Sequence, residues 1–284
     1  MLKDINLYML DMDGTIYLGD RLFPCTLPFL AYLKHTGRRA IYLTNNSSRS
    51  RDKYVTRLRG MGIDVEPDDI FTSGEATTLW LNEQAPGARI CLAGTPSLEA
   101  EFERAGFTLT WDDPAYFVLG FDQTLTYRKL TCICDIVRSG VPYIATHPDF
   151  NCPVEGGFIP DIGAMIAFIE ASTGRKPDVI VGKPNRTIAQ MAMRKYHADA
   201  DTTAMVGDRL YTDIALGTNA GPAVREVAPD HHWTPLWQTA GRRARVLRRR
   251  AEPGGAGHEW LERWGTRLVA QSPGKPCCPR SVRG

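Results

Sequence analysis

The sequence predicts an α/β protein built on a parallel sheet, with a second α/β domain inserted into it. Three observations predict this. Short apolar runs of strand length alternate with segments of helical apolar spacing. The alternation starts afresh near Ala88, and an earlier pattern resumes near Val179. The apolar runs Ile5–Leu10 and Thr203–Val206 each end at a pair of acids, and open parallel sheets gather their ligands at such strand ends.

Taken in order, Ile5–Leu10 is too short for a buried helix and fits a buried parallel strand. Leu27–His35 has helical spacing and stops at Gly37. Arg39–Thr44 is a second strand. Ser47 or Ser48 is placed to cap the following helix, in which Tyr54, Val55, Leu58 and Met61 share a face. Asp69–Thr72 reads as a strand and Glu75–Leu81 as a helix, which completes the first α/β unit. The second unit has strands at Ala88–Ala93, Tyr116–Phe121 and Pro142–Thr146. Its helices are Ser97–Ala105, Tyr127–Ser139 and Ile162–Ala171. Strands at Val179–Val181 and Thr203–Val206, with helices at Arg186–Tyr196 and Thr212–Gly217, then resume the first pattern. The domain boundaries expected are 1–78 with 179–220 for the first domain and 79–178 for the inserted one.

Size and composition are those of a globular protein. The 284 residues suit about two domains, and 43% apolar with 23% charged residues is ordinary. The net charge of +2 conceals an asymmetry: residues 221–284 hold 12 Lys+Arg and 5 Asp+Glu, whereas residues 1–220 hold 22 and 27. No apolar run approaches the ~20 residues of a membrane span. The start, MLKDINLYMLDMDG, lacks the pattern of a signal peptide. Cys25, Cys91, Cys132, Cys134, Cys152, Cys277 and Cys278 make an odd set without a repeating framework, which points to reduced thiols in the cytoplasm. Cys132 and Cys134 are two apart on a helix and cannot face one another as metal ligands. His147 reads as a polar loop residue, since no metal-partner spacing accompanies it.

The chemistry lies in four short segments. Asp11-Met12-Asp13-Gly14-Thr15 places two carboxylates where the first strand runs out, and Gly14 lets the backbone turn. Two like charges this close call for a cation or a shared proton, and a site of hard oxygens suits Mg²⁺. Gly207-Asp208-Arg209-Leu210-Tyr211-Thr212-Asp213 brings two more carboxylates to another strand end. Between them, Thr44-Asn45-Asn46 offers a hydroxyl, amides and backbone N–H groups, and Gly182-Lys183-Pro184 offers one ammonium. A lysine acts there as a point charge for a phosphate or a carboxylate. Taken singly these residues are ordinary turn, cap and loop residues. Together and in this order they form a site. No GxxxxGK[ST] occurs, which argues against a P-loop nucleotidase.

The ordered set DMDGT, LTNN, VGKP and GDRLYTD resembles the four motifs of the haloacid dehalogenase superfamily phosphatases. The stretch THPDFNCPVEGGFIPDIGAMIAFIEASTGRKPDVIVGKPN resembles subfamily IIA, with its NagD-type and 4-nitrophenylphosphatase-like enzymes. The resemblance covers residues 1 to about 220. It implies a Rossmann-like core with an inserted C2-type cap. It also implies a Mg²⁺-dependent phosphatase acting on small phosphorylated metabolites such as sugar phosphates or nucleoside monophosphates. In that scheme Asp11 is the nucleophile that forms an aspartyl-phosphate, and Asp13 is the general acid and base. Thr44, Asn45 and Lys183 hold the phosphoryl group, and the metal is held by Asp11, Asp13 through its backbone carbonyl, Asp208 and Asp213. Asn151, Asp161 and Gly163, in the Gly/Pro-rich loop of the cap, are the positions expected to meet the rest of the substrate. A homodimer through the cap is a further implication. The alternatives are a mutase-like transfer to another acceptor, and a non-catalytic sensor or inactive product of an altered gene.

After Ala220 the texture changes. The last 64 residues hold eight Gly, seven Pro, four of the six Trp and the cluster GRRARVLRRR. Pro222 and the charges around it make a poor central strand. Three readings compete for this segment: a nucleic-acid or membrane arm, a solvated extension, and a C-terminus altered by a frameshift. The abruptness of the change favours the frameshift, and no nucleic-acid or membrane partner is expected.

Overall fold

The computed structural model describes residues 4–154 and 156–220, and the backbone of 225–227. Its strands are β1 (Leu7–Leu10), β2 (Tyr17–Leu18), β3 (Arg21–Leu22), β4 (Arg39–Thr44), β5 (Ile70–Thr72), β6 (Arg89–Ala93) and β7 (Thr108–Leu109). They continue with β8 (Tyr116–Leu119), β9 (Tyr143–Ala145), β10 (Asn151–Val154), β11 (Gly157–Pro160), β12 (Val179–Ile180), β13 (Thr203–Val206) and β14 (Arg225–Val227). The α-helices are α1 (Thr26–His35), α2 (Arg51–Gly60), α3 (Ser73–Gln84), α4 (Pro96–Arg104), α5 (Tyr127–Arg138), α6 (Ile162–Thr173), α7 (Arg186–Lys195) and α8 (Ala215–Asn219).

Two parallel five-stranded sheets result, in the orders β14-β13-β1-β4-β5 and β12-β9-β8-β6-β7. The period-2 alternation of side chains divides each strand between two cores. On one face of the first sheet, Tyr8, Leu10, Tyr42 and Val206 pack with Phe29 and Leu33 of α1 and Tyr54, Val55 and Leu58 of α2. On the other, Leu7, Met9, Ile41, Leu43 and Met205 join α3 and α7. That cluster continues into Ile90, Leu92, Val118 and Ile144 of the second sheet, so the two sheets share one apolar layer. The far face of the second sheet carries Phe117, Leu119 and Tyr143 against Ile133 and Val137 of α5 and Ile162 and Ile169 of α6. Local chemistry starts the helices. Thr72, Thr95 and Thr126 each accept a backbone N–H from the first turn of α3, α4 and α5, and Asp161 does so for α6.

Several elements differ from the sequence reading. The strand at 179–180 pairs with β9 in the second sheet, not with the first. Two residues of Val and Ile fit either sheet, and only pairing decides between them. Ser47 and Ser48 do not cap α2. The helix starts after Ser50, and both hydroxyls are engaged elsewhere. The Thr212–Gly217 helix is a wide turn at Leu210–Ile214 followed by α8. His147 lies in a loop but is fully buried, with partners on both ring nitrogens. The hairpins β2–β3 and β10–β11 carry no alternating apolar pattern and were not foreseen. Residues 225–227 form a short strand beside β13 at the sheet edge, where a poor central strand is tolerated. The GRRARVLRRR cluster and, apart from the backbone of 225–227, the segment 221–284 with its competing readings lie outside the described residues. Cys25, Cys91, Cys132, Cys134 and Cys152 are free thiols, of which Cys91 and Cys134 are buried. Among the described residues no helix is long and apolar enough to cross a membrane.

Candidate active site

Strand register builds the site. Leu10 lies level with Val206 on one side and Tyr42 on the other, so β1, β13 and β4 end side by side. The Asp11 N–H bonds the carbonyl of Val206 at 2.9 Å, which carries the pairing one residue further. Asp11 therefore emerges beside Gly207, and the Thr44 turn opens on the other flank.

Lys183 joins the two acidic segments. Its Nζ donates to Asp11 Oδ1 at 2.5 Å and to Asp213 Oδ1 at 2.7 Å. Lys183 is 3% exposed and Asp213 is fully buried. The Thr15 hydroxyl spans the remaining oxygens, 3.1 Å from Asp208 Oδ1 and 3.4 Å from Asp11 Oδ2. Burial pushes the Asp11 carboxyl up to about 7; Lys183 opposes that shift, and Asp213 and Asp208 add to it. Burial on its own would lower the Lys183 ammonium, but Asp11 and Asp213 more than offset this and hold it above its ordinary range.

The donor set fits a hard divalent cation. One oxygen each of Asp11, Asp208 and Asp213 lie within 4.8 Å of one another. Three carboxylates facing one ammonium leave an excess of negative charge, and all the ligand atoms are oxygens. Gly14 has φ 91°, and a Cβ there would collide with the Asp208 carboxylate. Gly207 is held just as closely, since its Cβ would overlap Asp213.

Asp13 is exposed at the mouth, and the hydroxyl of buried Tyr17 donates to its Oδ2 at 3.2 Å. Arg57 stacks over the Tyr17 ring at 4.8 Å. The Thr44 hydroxyl accepts the Asn46 N–H at 3.1 Å and shapes the turn. The Asn45 side chain is committed to protein partners. Its Oδ1 accepts the Lys183 N–H at 2.8 Å, and its Nδ2 donates to the Lys183 carbonyl at 3.0 Å and to Asp149 at 3.1 Å. Of the three expected substrate-contacting positions in the inserted unit, Asn151 is exposed at the start of β10. Asp161 is buried, capping α6 and bonding His147 Nε2 at 3.0 Å. Gly163 lets α6 approach the backbone of residues 148–150, where a side chain would collide.

Thr15, Tyr17, Asp149, Ser47 and His147 were not singled out from sequence as parts of the site. Thr15 stands inside DMDGT and Tyr17 two residues beyond it, so proximity could have flagged both. Asp149 reaches Asn45 through a long-range contact, for which a single sequence offers no signal. Ser47 directly follows Asn46 in the chain, and His147 bonds Thr146 and Asp161 of the inserted unit.

The chain matches two family models: residues 8–108 a haloacid dehalogenase-like hydrolase, and residues 180–228 a HAD-hydrolase-like family. The second match, like β14, runs past Ala220, where the sequence reading ended the resemblance. An acid sugar phosphatase of Staphylococcus aureus is 37% identical over 221 residues, covering 78% of this chain and 85% of that protein. The crystal structure of a 4-nitrophenylphosphatase from Thermotoga maritima superposes with a TM-score of 0.76 at 48% identity, covering 79% of this chain and 85% of the other. A glycerol phosphate phosphatase from Mycobacterium tuberculosis, solved in complex with calcium, gives a TM-score of 0.73 at 29% identity, covering 80% of this chain and 66% of the other.

Proposed function

We propose, from the premise that this chain belongs to the haloacid dehalogenase-like hydrolases and is a phosphoric monoester hydrolase, that it cleaves small phosphorylated metabolites through an aspartyl-phosphate on Asp11. Sugar phosphates are the first class to test, in keeping with the Staphylococcus aureus relative. The observation that carries this reading is the junction of two strand ends by Lys183, with Asp11, Asp213, Asp208 and Thr15 around it.

Asp11 attacks phosphorus with a carboxylate oxygen while the bond to the leaving oxygen breaks. Asp13 gives its proton to that leaving group, then takes one from the water that attacks the aspartyl-phosphate. That second step releases phosphate and restores the Asp11 carboxylate. The Tyr17 hydroxyl keeps Asp13 aimed at the mouth. Lys183 holds Asp11 in one rotamer and offsets charge on the transferring group, with the Thr44 turn beside it. Asp11, Asp208 and Asp213, with the Asp13 carbonyl, would hold Mg²⁺, which when bound supplies charge neutralisation to the phosphoryl oxygens. Most of the rate enhancement then comes from positioning and electrostatics.

The inserted unit, which β12 extends to Ile180, acts as the cap that covers the mouth and reads the rest of the substrate, with Asn151 as its open polar side chain; residues 1–78 and 181–220 form the core. The protein acts in the cytoplasm as a homodimer joined through the cap.

The test is phosphate release from 4-nitrophenyl phosphate with Mg²⁺ and with EDTA, alongside Asp11→Asn. Turnover should require the metal and fall by ~10³-fold or more in the variant. Full activity in Asp11→Asn would overturn the assignment of the nucleophile.

A further inference from the structure

The C-terminal ends of the second sheet form a crevice, and a loop of the first sheet fills it. From β6 the chain runs to β7 on one side, and through β8, β9 and β12 on the other. The direction reverses between β6 and β8, which is where an open α/β sheet ordinarily takes a ligand. Here the occupant is the segment between β4 and α2. The Ser47 hydroxyl accepts the N–H of Phe121, just after β8, at 3.1 Å and lies 3.1 Å from the hydroxyl of Thr146, just after β9. The hydroxyl of Thr95, after β6, donates to the carbonyl of Ser48 at 3.1 Å. Ser47 is 2% exposed and Thr146 fully buried.

The same segment carries the Thr44–Asn45 turn. Two residues before Ser47, the Asn45 side chain grips the N–H and the carbonyl of Lys183, and Asp149 of the inserted unit takes its second amide hydrogen. Lys183 in turn reaches Asp11 and Asp213. A route of hydrogen bonds, joined by the backbone between Asn45 and Ser47 and by the Lys183 side chain, therefore runs from three strand ends of the cap to the nucleophile.

We infer that Ser47 is a positioning residue for catalysis: anchored on Phe121 and Thr146, it fixes the Thr44–Asn45 turn and, through Asn45, sets Lys183 against Asp11. This rests on the phosphatase reading above and adds a task for the cap, which holds the phosphate-handling loop in place as well as covering the mouth. Removing either hydroxyl of the Ser47–Thr146 pair loosens the turn without touching any group at the reacting atoms. An ångström of misplacement there is enough to slow turnover about 10-fold or more.

The experiment measures kcat and KM on 4-nitrophenyl phosphate, well below the melting transitions, for the parent, Ser47→Ala, Thr146→Val and Thr146→Ser, with crystal structures of each. We expect kcat to fall about 10-fold or more in the first two variants, with KM moving less, and to recover in Thr146→Ser, which keeps the hydroxyl. The crystal structures should show Asn45 released from the Lys183 backbone. Folded Ser47→Ala with kcat within about twofold of the parent overturns the inference. Should Ser47→Ala fail to fold, Thr146→Val, in which the Phe121 N–H keeps its acceptor, decides by the same criterion. A parent that releases no phosphate sinks the phosphatase reading instead. The crystal structures then decide the positioning role: Asn45 unmoved in Ser47→Ala rejects it, and its bonds to Lys183 broken supports it.

Discussion

Lys183 brings a single positive charge to a site with three carboxylates, two of which it contacts directly. Removing one partner of a buried ion pair typically costs about 3–5 kcal/mol, because the other charge stays buried without compensation. The arrangement therefore depends on side chains held to within a fraction of an ångström, and the glycines beside them do much of the holding. Gly207→Ala places a methyl group against Asp213, which is fully buried and has no room to yield. We expect a stability loss of about 1–3 kcal/mol from overpacking. Turnover should fall about 100-fold as Asp213 loses its place at Lys183. Denaturant unfolding and 4-nitrophenyl phosphate kinetics check the two effects; unchanged kinetics would show that Asp213 can shift without consequence.

Between α3 and α4 two acids meet in a confined place. Glu75 is buried, with Oε1 held by Lys195 at 2.9 Å and Arg51 at 3.3 Å, while Oε2 has no hydrogen-bond partner among the described residues. Glu101 of α4 faces Gly74 at the start of α3, where any side chain would meet its carboxylate. Burial, and then the charge of Glu75, push the Glu101 carboxyl up to about 7, with Arg51, Arg104 and Lys195 opposing. Between the ordinary glutamate range and about 7, the folded state then binds more protons than the unfolded one. Stability from this group is therefore present at low pH and lost as pH rises through that window. Glu101→Gln removes the loss. Relative to the parent it should gain on the order of 2 kcal/mol between pH 5 and pH 8, read from urea unfolding at each pH. A stability difference that does not change with pH would place Glu101 in solvent.

At the scale of the whole molecule, the two sheets share an apolar layer through α3 and α7, and the acidic site forms only when β1 and β13 are paired. A cation bound there stabilises the folded state alone, by about 2.7 kcal/mol at a hundred times its dissociation constant. Mg²⁺ should therefore raise the melting temperature of the parent by several degrees and leave Asp208→Asn nearly unmoved. An equal rise in both would mean that the metal binds elsewhere.

The sequence by itself determined the α/β class, the alternation that makes two parallel sheets, and the identity of the acids and the lysine at the strand ends. Those features are local: apolar runs of strand length, helical apolar spacing, and motifs read within a few residues. Only the tertiary structure decided that Val179–Ile180 belongs to the second sheet and that His147 is buried. It alone showed Asp161 capping a helix, and the Asn45 side chain gripping Lys183 where an open phosphate ligand was expected. The physical reason is common to all four. A two-residue strand, a histidine, an aspartate or an asparagine is compatible with several environments. Which one it occupies is fixed by partners that lie far away in sequence, as Lys183 lies 138 residues from Asn45.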